Sequence, residues 1–174
     1  MKLMNLEDVP LPVIQAFKES FNLSKNIIHG SYQLQTVTDL TKWQRELIIV
    51  KEKDYKQTVR TSHFGLVDEN GVMIGLSDIK HHLTGYLQKE GGHISYSIAP
   101  PFQGYGYGSY LLDLTLKEAK KFGFTHVLLT CRSDNPTSIK VIEKNGGVFI
   151  RQLTINRYNV NHYHIYLDND NFVM

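Results

Sequence analysis

At 174 residues with 41% apolar side chains, the chain predicts one domain with a core large enough to bury most of its apolar surface. Its 19 basic side chains stand against 17 acidic ones, a net charge of +2 without any basic run interleaved with aromatics, which argues against a nucleic-acid binder. No stretch reaches the ~20 apolar residues of a membrane span or the form of a signal peptide, and the single cysteine, Cys131, fits a reducing compartment, so the expectation is a cytoplasmic protein with no membrane partner.

Leu11 to Phe21, with Val13, Ile14 and Phe17, and Asp39 to Val50, with Trp43, Leu47 and Ile48, are predicted helices joined by a polar segment. The period then changes to two. His63 to Val67 and Val72 to Ile79 read as strands around Asp68-Glu69-Asn70-Gly71, whose Asn-Gly pair signals a hairpin. Residues 81 to 91 connect to a further strand, Gly92 to Ala99, in which Ile94, Tyr96 and Ile98 alternate with His93, Ser95 and Ser97. Pro100 and Pro101 stop it.

Next comes Gln103-Gly104-Tyr105-Gly106-Tyr107-Gly108-Ser109, with glycine on alternate positions, and then an amphipathic helix from Gly106 to Phe122. A helix start leaves backbone N–H groups unpaired at the positive end of its dipole, and glycines admit a ligand to the main chain, a combination that favours pyrophosphate. A P-loop is excluded because no lysine follows Gly108. The dinucleotide fingerprint fails too, for Ser109 stands where its third glycine belongs. A purely conformational glycine turn stays open as the alternative. A strand at Thr125 to Thr130, a helix capped by Asn135 with Pro136 in its first turn, and two final strands between Val148 and Leu167 complete the layout.

The order of strand, Gln-x-x-Gly-x-Gly turn, helix, strand, Asn-capped helix and Asn145-Gly146-Gly147 stop resembles the GNAT superfamily of acetyl-CoA-dependent N-acetyltransferases. The likeness is specific over residues 92 to 150 and faint before Gly65. It looks closest to a bacterial branch of small predicted acetyltransferases with a Gly-His-Ile-x-Tyr strand and a Glu-Lys-Asn-Gly-Gly helix end. The resemblance implies a single α/β (α+β) domain over residues 1–174, with a mixed, mostly antiparallel central sheet and helices on both faces. It also implies that Gln103, Gly104, Tyr105, Gly106, Tyr107, Gly108 and Ser109 wrap the pyrophosphate of acetyl-CoA. Tyr96, Ser97 and Ile98 would offer backbone to its pantetheine arm, and Asn135 and Ser138 would meet the far end of that arm. Asn135 is equally readable as a helix cap alone, and Lys140 and Lys144 as a solvated helix face.

Attack of an amine on a thioester needs a base, and the leaving thiolate is helped by an acid. His93 is the expected base, because it aligns with a strand position that carries glutamate in several members of the family and its ordinary pKa of about 6.5 suits the task. The family's usual acid is a tyrosine on the last helix, where this chain has Ile142. Either the thiolate leaves unaided or another hydroxyl serves, with Tyr158 and Tyr163 as candidates. His81 and His82 are expected to line the acceptor pocket, with no metal, since no Cys, Asp or Glu stands beside them at ligand spacing. Cys131 reads as a small apolar residue rather than a catalytic thiol. The expected activity is transfer of an acetyl group to a primary amine of a small molecule, amino acid or peptide, and the resemblance allows a homodimer. A GNAT-fold module that binds acyl-CoA without catalysis is the alternative, and a nucleotide-binding or purely structural domain the third reading.

Overall fold

The structure, a computed structural model, describes residues 1–22 and 26–167. Its elements are β1 (Lys2–Asn5), α1 (Leu11–Glu19), α2 (Leu40–Glu52), β2 (Thr61–Val67), β3 (Met73–Lys80), α3 (Gly85–Lys89), β4 (Ile94–Ile98), α4 (Tyr107–Lys121), β5 (His126–Arg132), α5 (Pro136–Lys144), β6 (Val148–Ile155) and β7 (Tyr158–Tyr166). Asp39 caps α2 by accepting from the Lys42 N–H at 2.9 Å, and Trp43, Leu47 and Val50 recur on its buried face. The hairpin between β2 and β3 is fixed by the Asp68 carboxylate, which accepts from the N–H groups of Asn70 and Val72. Neither β1 nor α3 is legible beforehand. The first is a four-residue edge strand defined by its partner, with Lys2 opposite Val67, and the second is a single turn capped by Thr84.

The strands form two antiparallel sheets, ordered β1-β2-β3-β4 and β5-β7-β6. Helices α1 and α2 pack on β2 and β3, and α4 packs on β3 and β4. Period-two alternation on β3 serves both layers: Leu76 joins the core with Phe17, Trp43 and Leu47, whereas Ile79 joins the core with Leu112, Leu116 and Ile142. The mixed α/β architecture expected from the sequence is therefore present.

The two sheets share a core and are hydrogen-bonded to each other at a joint just before β4. The His93 N–H donates to the Leu128 carbonyl at 2.8 Å, and the Leu128 N–H donates back to His93 Nδ1 at 2.9 Å. Gly92, with φ of +63°, brings the chain so close to Leu128 that a Cβ would collide with its carbonyl oxygen. Beyond this joint β4 is the last strand of its sheet and β5 the first of the other, so the molecule opens between them.

Candidate active site

Three hollows meet along that opening. A cleft of about 770 Å³ runs from the outer end of β4 past the start of α4 to one face of α5. A slot of about 360 Å³ lies between β4 and β5, and a third hollow of about 420 Å³ sits against β2 and β3 under the segment that joins α1 to α2. His29, from that segment, lines all three. It is held there by its backbone, whose carbonyl accepts from the Ser97 hydroxyl at 3.1 Å.

The cleft gathers Tyr96, Ser97, Ile98, Gln103, Gly104, Gly106, Gly108, Ser109, Asn135 and Ser138. Gly106 caps α4 in the left-handed region, with φ of +86°, and no side chain caps that helix. The first amides of α4 are thus left to whatever the cleft holds. Gln103 folds back and donates to the Ile98 carbonyl at 3.0 Å, which ties the loop to the end of β4. Asn145 donates to the backbone carbonyl and hydroxyl of Ser109 and clamps the end of α5 onto the start of α4. Tyr105 is 75% exposed and Tyr107 packs against a core of Leu66, Ile74 and Leu111, so these two residues have only their main-chain amides to offer the cleft, as expected of them. Asn135 does cap α5, accepting from the Ser138 N–H, while also lining the cleft. Lys140 and Lys144 line it as well rather than only facing solvent, and no carboxylate joins them among the described residues, so the cleft suits an anion.

The proposed base lies elsewhere. His93 is committed to the joint: Nδ1 accepts from Leu128, which puts the proton of the neutral ring on Nε2, and the ring stacks edge-on against Phe124 at 5.3 Å. Burial pushes its pKa down to about 4, and it lines none of the three hollows. The residue precedes β4 instead of belonging to it, so the alternation that grouped it with Ser95 and Ser97 does not reach it. The two tyrosine candidates are also engaged. Tyr158 donates to Glu90 at 2.6 Å with the Arg132 guanidinium over its ring, and buried Tyr163 stacks edge-on against Phe149 while its hydroxyl accepts from Asn161.

His81 and His82 line none of the three hollows. His81 Nε2 pairs with the Ser62 hydroxyl at 2.9 Å and its ring meets Phe122, while exposed His82 pairs with Asp54 at 3.2 Å. Both follow the end of β3, beyond the face that points into the hollow. That face carries Asp78 and Lys80, an ion pair at 2.9 Å with both side chains largely buried, and beside them the fully buried His63. The sequence held a sign of this: two charges spaced by two, Asp78 and Lys80, at the end of a strand that is otherwise apolar apart from Ser77. Cys131 lines the slot, and burial pushes its thiol up to about 11, which keeps it protonated.

An acetyltransferase (GNAT) family model matches residues 27–147. No curated protein matches the sequence. Among solved structures, a mutant spermidine N-acetyltransferase from Vibrio cholerae is 19% identical, with a TM-score of 0.66 and coverage of 95% of both chains. A dodecameric structure of spermidine N-acetyltransferase from the same organism is 17% identical over 95% of this chain and 92% of that one, with a TM-score of 0.65. A proposed acetyltransferase from Salmonella typhimurium, solved with its cofactor acetyl-CoA, is 17% identical over 98% and 95%, with a TM-score of 0.62. At such identities the likeness shows the fold alone.

Proposed function

Because the chain belongs to the acetyltransferase (GNAT) family, we propose that it moves the acetyl group of acetyl-CoA onto a primary amine by direct attack on the thioester, with the cleft as the donor's seat. The observation that carries this reading is the cleft itself: uncapped amides of α4, glycines at 104, 106 and 108 along its wall, and two lysines with no carboxylate among the described lining residues. These residues fit the donor. The amides of Tyr107, Gly108 and Ser109 would hold the pyrophosphate, Lys140 and Lys144 would draw in its charge, and the open edge of β4 from Tyr96 to Ile98 would receive the arm. The donor supplies an activated acyl carbon; the protein's part is to position it and to move protons.

His29 is the base in this reading, in place of His93. It stands where the three hollows join, and burial lowers its pKa while Asp78 pulls the other way and Lys80 adds to the lowering, so the ring is neutral near pH 7 and able to take a proton. The hollow beneath it, with Asp78, Lys80 and His63, would receive the acceptor. The chemistry favours a small molecule, amino acid or peptide amine in the cytoplasm, where the lone cysteine stays reduced. Edge strand β6 leaves Val148, Phe149 and Ile150 exposed, a surface that suits pairing with a second copy, and a V. cholerae relative in fold is dodecameric.

The non-catalytic alternative rests on Ile142, an apolar residue in the slot where a hydroxyl would help the thiolate leave. A panel of primary amines, including polyamines and amino acids, incubated with protein and acetyl-CoA separates the two. Amine-dependent release of free thiol is expected. Tight binding of acetyl-CoA without release from any amine would favour the module.

A further inference from the structure

Among the described residues only two buried side-chain polar atoms lack a hydrogen-bond partner, His63 Nδ1 and the Tyr96 hydroxyl. A buried hydroxyl without a partner has given up its bonds to water with nothing in return, so a fold retains one where something outside the chain completes it. Tyr96 occupies a particular place. It lines both the donor cleft and the slot between β4 and β5, which makes it part of the wall between them. On the cleft side its ring faces Gly108 near the start of α4, where a Cβ would lie 3.9 Å from its Cε2. On the slot side its neighbours include Ser138 and Cys131. The Ser138 hydroxyl is a neighbour of the phenol, and it already accepts from Asn135 Nδ2 at 3.2 Å. Ile142 lines the same slot and offers no proton.

We propose that Tyr96 Oη is the acid of the reaction, giving its proton to the sulfur of the donor as the carbon–sulfur bond breaks. This rests on the donor reading above. The electron pair of the broken bond stays on sulfur, the amine nitrogen forms the new bond to the acyl carbon, and His29 takes the proton that the nitrogen sheds. That proton then returns through water to the Tyr96 phenolate, so neither an external acid nor an external base is consumed. Burial pushes the phenol up to about 12, so at neutral pH the proton is in place before each turnover.

The test uses Tyr96→Phe, which keeps the ring and removes only the unpartnered atom. CoA itself is the first probe: its bound thiol is titrated by thiolate absorbance. The thiol is expected to ionise about one pH unit lower in the wild type than in the variant, because the tyrosine donates to the thiolate. Turnover of an amine found active is expected to fall roughly tenfold or more, with the KM for acetyl-CoA held within about threefold. Adding Ile142→Tyr to Tyr96→Phe returns a phenol to the slot from α5 and is expected to recover part of the loss. Unchanged thiol ionisation together with unchanged kcat would overturn the proposal. A wild type that does not bind CoA at all would instead overturn the donor reading on which it rests.

Discussion

At the scale of residues, the sequence points to one histidine as the base, and the proposed function assigns that role to another. His93 lies beside a strand with clear alternation, yet its imidazole accepts the Leu128 N–H and joins the two sheets. Periodicity reads faces, and it cannot see a partner 35 positions away. His29 lies in a polar segment with no period to read, and tertiary packing alone brings it to the three hollows. His93→Ala is therefore expected to lower stability by about 1–3 kcal/mol, since it strands a buried N–H, while kcat stays within about threefold. His29→Ala is expected to do the reverse, leaving the melting temperature nearly unchanged and cutting turnover by roughly a hundredfold. The sign of the pH dependence follows from the lowered pKa of His29: a base works when neutral, so kcat/KM rises with pH through a value below 6.5 and that limb is lost in the variant. Turnover retained in His29→Ala, or lost in His93→Ala with the fold intact, would restore the original assignment. Tyr96→Phe adds a stability signature to its kinetic one. Removing an unsatisfied buried hydroxyl is expected to leave stability the same or raise it by about 1 kcal/mol, measured by denaturant midpoint.

At the scale of elements, the turn between β4 and α4 was the most legible part of the chain, because glycine in the left-handed region is a backbone requirement written in sequence. The structure separates two demands on Gly106. A Cβ there meets nothing within 4 Å, so space is no obstacle, but φ of +86° is strained for any other L-residue, and least so for asparagine. Gly106→Ala is expected to cost about 1–2 kcal/mol of stability. Gly106→Asn should recover most of that yet still weaken acetyl-CoA binding, because its side chain hangs over the amides of α4. Equal affinity in Gly106→Asn and the wild type, measured by calorimetry, would place the phosphates elsewhere. The residues proposed to receive the acceptor were not legible at this scale. His81 and His82 are distinctive letters, but β3 ends at Lys80, so the strand's inward face stops one residue short of them.

At the scale of the whole molecule, the expected α/β layering holds while the sheet divides, and the division makes the site. A sequence with strand signals at β4 and β5 gives no notice that they meet at Gly91 and His93 before parting, since hydrogen bonding between strands is a non-local choice. The opening then collects the loop of α4, the two lysines of α5, Tyr96 and the segment carrying His29 into one continuous system. In the proposed function acetyl-CoA sits in the cleft between β4 and α5. Titration calorimetry of acetyl-CoA into the wild type and into a Lys140→Glu, Lys144→Glu double variant tests this directly, with ATP and NAD as controls. One donor per chain is expected, with at least roughly tenfold weaker binding in the double variant and no comparable heat from ATP or NAD. Unaltered affinity in the double variant, or binding of ATP as tight as that of acetyl-CoA, would contradict it.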